Sequence, residues 1–178
     1  MRDSMVLPDE DQFHRLFYLR QDVLRTMTEI NDFDTTRFEV LETIPLGVLR
    51  KNATQKHGVT KWKQHQNYLE IESVEIHPEL LKRRWNDYAK FVLYHEFLHA
   101  IGFKDHDAIF RHLEARWPIE NPRKSGREFT LFLQEKSASW KWFCDSCGLT
   151  VFRKKSTHGK YKCKSCNIVL RDEPVSSQ

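Results

Sequence analysis

All four cysteines of the chain fall into two Cys-x-x-Cys pairs, Cys144/Cys147 and Cys163/Cys166, with fifteen residues between them. No other feature limits the fold as tightly. Pairs at this separation suit a zinc ribbon, in which each pair sits on a tight turn and four thiolates close a tetrahedron around one ion. Gly148 follows the first pair and Asn167 the second, and both residue types tolerate the positive φ that such turns require. Disulfides are the competing use of the same cysteines. Closely spaced pairs in a chain that starts without a secretory signal favour metal. A four-thiolate site has no open coordination position, so its expected role is structural. The ribbon is predicted over residues 140–173, with a tail at 174–178.

A second ligand set precedes it. His95-Glu96-Phe97-Leu98-His99 places two imidazoles four residues apart, on one face if the segment is helical. Phe91, Val92, Leu93, Tyr94, Phe97, Leu98, Ala100 and Ile101 make that helix apolar round most of its circumference, the pattern of a buried element. Two histidines and a glutamate are costly in such a helix unless paired or bound to metal. Gly102 is suited to end the helix, and His106 follows within reach as a third ligand, with Asp105, Asp107 and His112 as nearby alternatives. His95, His99 and His106 then hold a catalytic zinc with one position open, and Glu96 stands beside it as general base. The bland alternative is a pair of satisfied core histidines, since this five-residue pattern also arises on ordinary amphipathic helices.

The periodicity outlines the rest. Asp9 to Ile30 predicts an amphipathic helix with Phe13, Leu16, Phe17, Val23, Leu24, Met27 and Ile30 in the core, and with Asp9 and Gln12 forming a capping box. Strands are predicted at 37–41, 46–51, 59–64 and 68–76, the last with imperfect alternation that suits one wet face or a bulge. His77-Pro78 ends it, and Asp87 is a candidate cap for the histidine-bearing helix. Helices are expected at 108–116 and 128–140, with a loop over 119–127 marked by Asn121-Pro122 and Ser125-Gly126. No apolar run approaches the ~20 residues that cross a bilayer. The opening residues lack a hydrophobic targeting segment, which makes the cytoplasm the expected location.

Taken together, Tyr94-His95-Glu96-Phe97-Leu98-His99-Ala100, then His106-Asp107-Ala108-Ile109-Phe110, then Trp142-Phe143-Cys144 through Cys166 resemble the SprT-like (Spartan) family of zinc metalloproteases. The resemblance spans about 46–170. It implies an α+β fold: a small zincin-like metalloprotease domain over 1–139, with a short sheet packed on the helix bearing the motif, followed by the four-cysteine ribbon. It also implies a zinc endopeptidase acting on proteins bound or crosslinked to DNA, with DNA as activator. Many relatives have His-Gly where this chain has His106-Asp107, and the long partner-binding tails of animal members have no counterpart after the ribbon.

Charge independently points to nucleic acid. From residue 141 onward the chain carries eight basic residues (Lys141, Arg153, Lys154, Lys155, Lys160, Lys162, Lys164, Arg171) against three acidic ones (Asp145, Asp172, Glu173). That surplus of five exceeds the +4 of the whole chain, so the first 140 residues carry −1. Phosphate contacts are expected from Arg153, Lys154, Lys155, Lys160, Lys162 and Lys164, with Trp142 among the aromatic faces offered to unpaired bases of single-stranded DNA. Basic ribbons are common, however, and aromatics also fill small cores. Two other function classes fit the same residues: a metal-dependent hydrolase acting on a nucleotide, and an inert zinc or nucleic-acid-binding module. The intact Glu96 disfavours the last.

Overall fold

The structure, a computed structural model, describes residues 6–30 and 37–175. The first five residues of the opening segment and residues 176–178 of the expected tail lie outside the described residues. Helices and small sheets make the protein α+β, and the chain divides into two compact units, 1–125 and 126–178.

In the first unit, helix α1 (Glu10–Ile30) opens with the expected capping box. Asp9 N donates to Gln12 Oε1 at 3.1 Å, and Gln12 N donates to Asp9 Oδ1 at 2.9 Å. Its buried stripe runs through Leu16, Leu19, Val23 and Met27, at the three- and four-residue spacings of one helix face. Phe13 and Phe17 lie on the flank of that stripe and are 59% and 50% exposed, so neither belongs to the core.

The segment expected as a first strand is instead a short helix, α2 (Phe38–Thr43). Leu41 and Ile44 are buried three residues apart, which suits a helical turn and not the alternation of a strand. A three-stranded sheet follows: β1 (Leu46–Val48), β2 (Gly58–Gln64) and β3 (Leu69–Ile76), in the order β1-β3-β2. β3 pairs in parallel with β1 and antiparallel with β2. The register jumps from Lys61↔Ser73 to Trp62↔Ile71, which leaves Glu72 as the bulged residue behind the broken alternation. His77 is fully buried and caps the 3₁₀ turn Pro78–Leu81, its Nδ1 accepting from Glu79 N at 3.1 Å.

Helix α3 (Asn86–Ala100) packs against α1, β2 and β3. Leu93, Tyr94, Phe97 and Leu98 have no exposed surface, so this helix is the centre of the unit. Truncating Phe97 to alanine would cost about 3–5 kcal/mol. Asp87 is not its cap: the helix begins one residue earlier, with Trp85 as N-cap and no side-chain cap bond, and Asp87 lies in the first turn. At the other end Gly102 has φ 111°, with Phe103 N donating to Leu98 O and Gly102 N to His99 O. That bonding pattern is a Schellman motif, which turns the chain back toward the helix face. Helix α4 (Ala108–Glu114) follows after a short loop.

Helix α5 (Pro122–Ser137) crosses the boundary between the units and includes much of the expected loop. Asn121 Oδ1 accepts from Lys124 N at 3.0 Å, and Pro122 takes the first helical position, where a missing N–H costs nothing. Asn-Pro is therefore a helix start here. A division at 139/140 would leave the whole of α5 with the first unit. The second unit holds an antiparallel sheet of β4 (Trp140–Phe143), β5 (Thr150–Arg153) and β6 (Arg171–Pro174), in the order β5-β4-β6. Its small core is Cys144, Cys163 and Leu170, with Trp142 and Cys166 against it. Among the described residues, no helix is long and apolar enough to cross a membrane.

Candidate metal centres

Three imidazoles converge at the end of α3. Nε2 of His106 lies 3.1 Å from Nε2 of His99 and 3.1 Å from Nε2 of His95. The far nitrogens of two rings are already committed. His95 Nδ1 donates to Glu114 Oε1 at 2.6 Å, and His99 Nδ1 donates to Phe103 O at 2.7 Å. Because those partners only accept, the protons sit on Nδ1 and the Nε2 lone pairs face one another. Burial, with His95 and His106, holds His99 below the ordinary histidine range against the hydrogen bond to Phe103, and burial, then His95 and Arg111, lowers His106. Clustered unprotonated nitrogens repel unless something positive lies between them. The donor set therefore fits a divalent ion, and imidazole suits zinc among others.

The support around the rings is layered. Phe110, fully buried on α4, packs its ring 4.7–5.0 Å from all three imidazole centroids. Glu114, one turn further along the same helix, is held in turn by Arg111 at 2.8 Å. Burial would raise the Glu114 carboxyl, but the hydrogen bonds from His95 and Arg111 bring it down to about 2, so it stays ionised and fixes the His95 ring. Asp107, a nearby alternative ligand by sequence, instead caps α4, with Oδ1 accepting from Phe110 N at 2.8 Å. Neither Asp105 nor His112 joins the three-histidine group.

Glu96 lies in the wall of the cleft beside the triad, 7% exposed. Thr60 Oγ1 on β2 sits 2.8 Å from Glu96 Oε2 and 3.0 Å from the Glu96 carbonyl, tying the carboxylate to its own backbone. Gly58 makes room for it. A Cβ at that position would stand 2.8 Å from Glu96 Cγ and Oε1 and 2.9 Å from Val92 Cγ1, closer than such contacts tolerate. Burial raises the Glu96 carboxyl, against the lowering effect of His95 and of the Thr60 hydrogen bonds. The cleft of about 510 Å³ is bounded on one side by β2, whose other edge has no strand partner among the described residues. Sequence reasoning missed Gly58, Thr60 and Glu114. Only the glycine, just ahead of a β-branched run, offered a signal.

The second centre is built differently. One sulfur from each of Cys144, Cys147, Cys163 and Cys166 falls within 4.8 Å of the others. All four are free thiols, and the 3.7 Å between the sulfurs of Cys147 and Cys163 is far beyond a bond of about 2.05 Å. The two loops repeat one another. Gly148 N donates to Cys144 O and Cys144 N to Leu149 O, as Asn167 N does to Cys163 O and Cys163 N to Ile168 O. Gly148 and Asn167 take φ 71° and 56°, as the turns require. Backbone amides of Cys166 and Ser165 directed at Cys163 hold its thiol below the usual range.

On the ribbon the three acidic groups are used internally. Glu173 meets Lys141 and Arg171, and Asp145 meets Arg171. Asp172 accepts from Thr157 N, Thr157 Oγ1 and His158 N at 2.7–3.0 Å, which pins the loop before Lys160. Among the described residues no acidic side chain pairs with Arg153, Lys154, Lys155, Lys160, Lys162 or Lys164, the six expected phosphate contacts. Trp142 is engaged within the ribbon: it stacks on Tyr161 at 5.0 Å, has the Arg153 guanidinium 5.3 Å from its centroid, and donates through Nε1 to Lys155 O at 2.9 Å. Tyr161 is the outer ring of that stack, 54% exposed.

Compared with models of known families, with curated proteins and with solved structures, the chain matches none.

Proposed function

We propose that this protein is a zinc-dependent endopeptidase of SprT type whose ribbon brings it to DNA, where it acts on DNA-bound or DNA-crosslinked proteins. The observation that carries the proposal is the combination of three inward Nε2 atoms with a carboxylate clamped at their side. A bound zinc would supply Lewis acidity and an acidified water at the open side of the triad. His95, His99 and His106 would hold it, while Glu114 and the Phe103 carbonyl keep two of the rings turned inward. Glu96 takes the proton of the attacking water and returns it to the leaving amine. Its raised affinity for a proton suits both halves of that cycle. The free edge of β2 offers backbone donors and acceptors to an extended polypeptide laid along the cleft.

Four thiolates would fill every position of a tetrahedral ion at the second centre, so its proposed zinc is structural. The six cations, which have no acidic partner among the described residues, and the exposed Tyr161 support binding to single-stranded DNA, with backbone phosphates on the cations and a base on the ring. The test is cleavage of a DNA-bound protein by wild type and Glu96→Gln at equal zinc content, with and without single-stranded DNA. Cleavage by wild type alone, mainly with DNA, is the expected result. Equal behaviour of the two proteins would refute the peptidase assignment and turn attention to nucleotide hydrolysis or simple binding.

A further inference from the structure

Beside the cleft lies a second cavity, of about 710 Å³, between α2, the β2–β3 hairpin and the end of α3. Trp62, Leu69 and Lys104 line both, so the two spaces adjoin across these three side chains. More of the second cavity's wall is apolar than polar. Val40 and Leu69 leave 45% and 42% of their surface uncovered there, and Ile44 and Ile101 are buried behind them. Two other charged groups line this cavity but not the cleft: Arg37 donates to the neutral Ile101 O at 2.9 Å, and Glu70 pairs with His65 at 2.8 Å. Lys104 differs. Its Nζ stands 5.5 Å from the centroid of Trp62, and among the described residues it has no acidic partner.

We propose that this cavity is a side-chain subsite of the cleft, taking a large apolar side chain of the bound polypeptide, and that Lys104 at the junction selects an acidic residue beside it. This assignment rests on the histidine site being a peptidase centre. β2 runs from Gly58 and Thr60 beside the triad to Trp62, which lines both spaces, so a polypeptide laid along the strand would reach the junction with the cavity within the strand's length. Burying an aromatic or branched side chain against Val40 and Leu69 removes apolar surface of both partners from water. An ammonium without a counter-charge attracts a carboxylate there and repels a lysine or arginine. Exposed apolar surface and an unpaired cation at one opening are therefore used together.

The experiment measures binding apart from turnover. Zinc-loaded full-length Glu96→Gln is titrated against short fluorescein-labelled peptides with Phe-Asp, Phe-Lys, Ala-Asp or Ala-Lys at the centre, and the Kd is read by anisotropy. Phe-Asp should bind tightest, with about tenfold lost for each of the two replacements. Adding Lys104→Glu should reverse the Asp-over-Lys preference and leave Phe over Ala intact. Adding Val40→Trp, at a solvent-facing wall position, should fill the cavity and erase Phe over Ala while leaving the charge preference. Equal affinities for the four peptides, no binding at all, or preferences unmoved by both variants would overturn the proposal. If these rankings hold but wild type cleaves no peptide, the cavity's side-chain preference stands as a binding property and the peptidase assignment falls. If wild type cleaves all four with equal kcat/KM and the affinities are also equal, the reverse is true.

Discussion

The histidine and cysteine centres gather metal-ligand side chains by opposite means. The cysteine centre is made almost entirely of local structure: two short loops with the same backbone bonds and the same positive φ, each supplying two sulfurs. The histidine centre is assembled from a distance. Its rings come from α3 and the loop after it, their orientation from Glu114 on α4, and its carboxylate is placed by Thr60 and Gly58 on β2. A locally closed ligand set suits holding a small unit together. A set that is open on one side and supported by three elements suits a reaction, because the supporting elements fix geometry while one side stays accessible.

The largest expected effect that separates them is Cys163→Ser. A structural zinc contributes on the order of 10 kcal/mol to a small fold, so the ribbon should lose its metal and become sensitive to proteolysis. Metal analysis should show one equivalent lost and one kept; loss of both would break the distinction. Next is Glu114→Ala, which frees the His95 ring. A competing chelator should then strip the histidine centre at about 10- to 100-fold lower concentration while the cysteine centre is untouched. Gly58→Ala forces Glu96 or the strand to move, lowering stability by at least about 1 kcal/mol in denaturant titration and impairing turnover more than metal retention. Unchanged stability would mean that Glu96 has room to shift. The smallest effect belongs to the ribbon surface. Lys160→Ala should reduce the salt dependence of single-stranded DNA binding by about one phosphate contact, with cleavage of a DNA-free protein unaltered.

What could be read from the sequence follows the same division. The cysteine loops were legible to the residue, since Cys-x-x-Cys-Gly and Cys-x-x-Cys-Asn encode their own turns. His95, His99 and His106 were legible because helical spacing and a terminating glycine suffice to bring them together. Glu114 was not, because its role depends on how α4 returns over α3, and an acid in the last turn of a helix is ordinary in sequence. Thr60 was hidden for a similar reason: a β-branched residue in a strand already has a conventional explanation. The strand expected at 37–41 and the loop expected at 119–127 failed where few residues carry the signal. Leu41 with Ile44, and Asn121 with Pro122, decide those segments by single contacts and caps.

Loading both centres with cobalt and recording the visible spectrum while azide is added distinguishes one open and one closed metal centre. Sulfur-to-cobalt bands should report the cysteine centre, and weaker d–d bands the histidine centre. Azide should shift only the latter, and Cys163→Ser should remove the sulfur bands without abolishing the response. A sulfur band that moves with azide, or a histidine band that does not, would contradict that distinction.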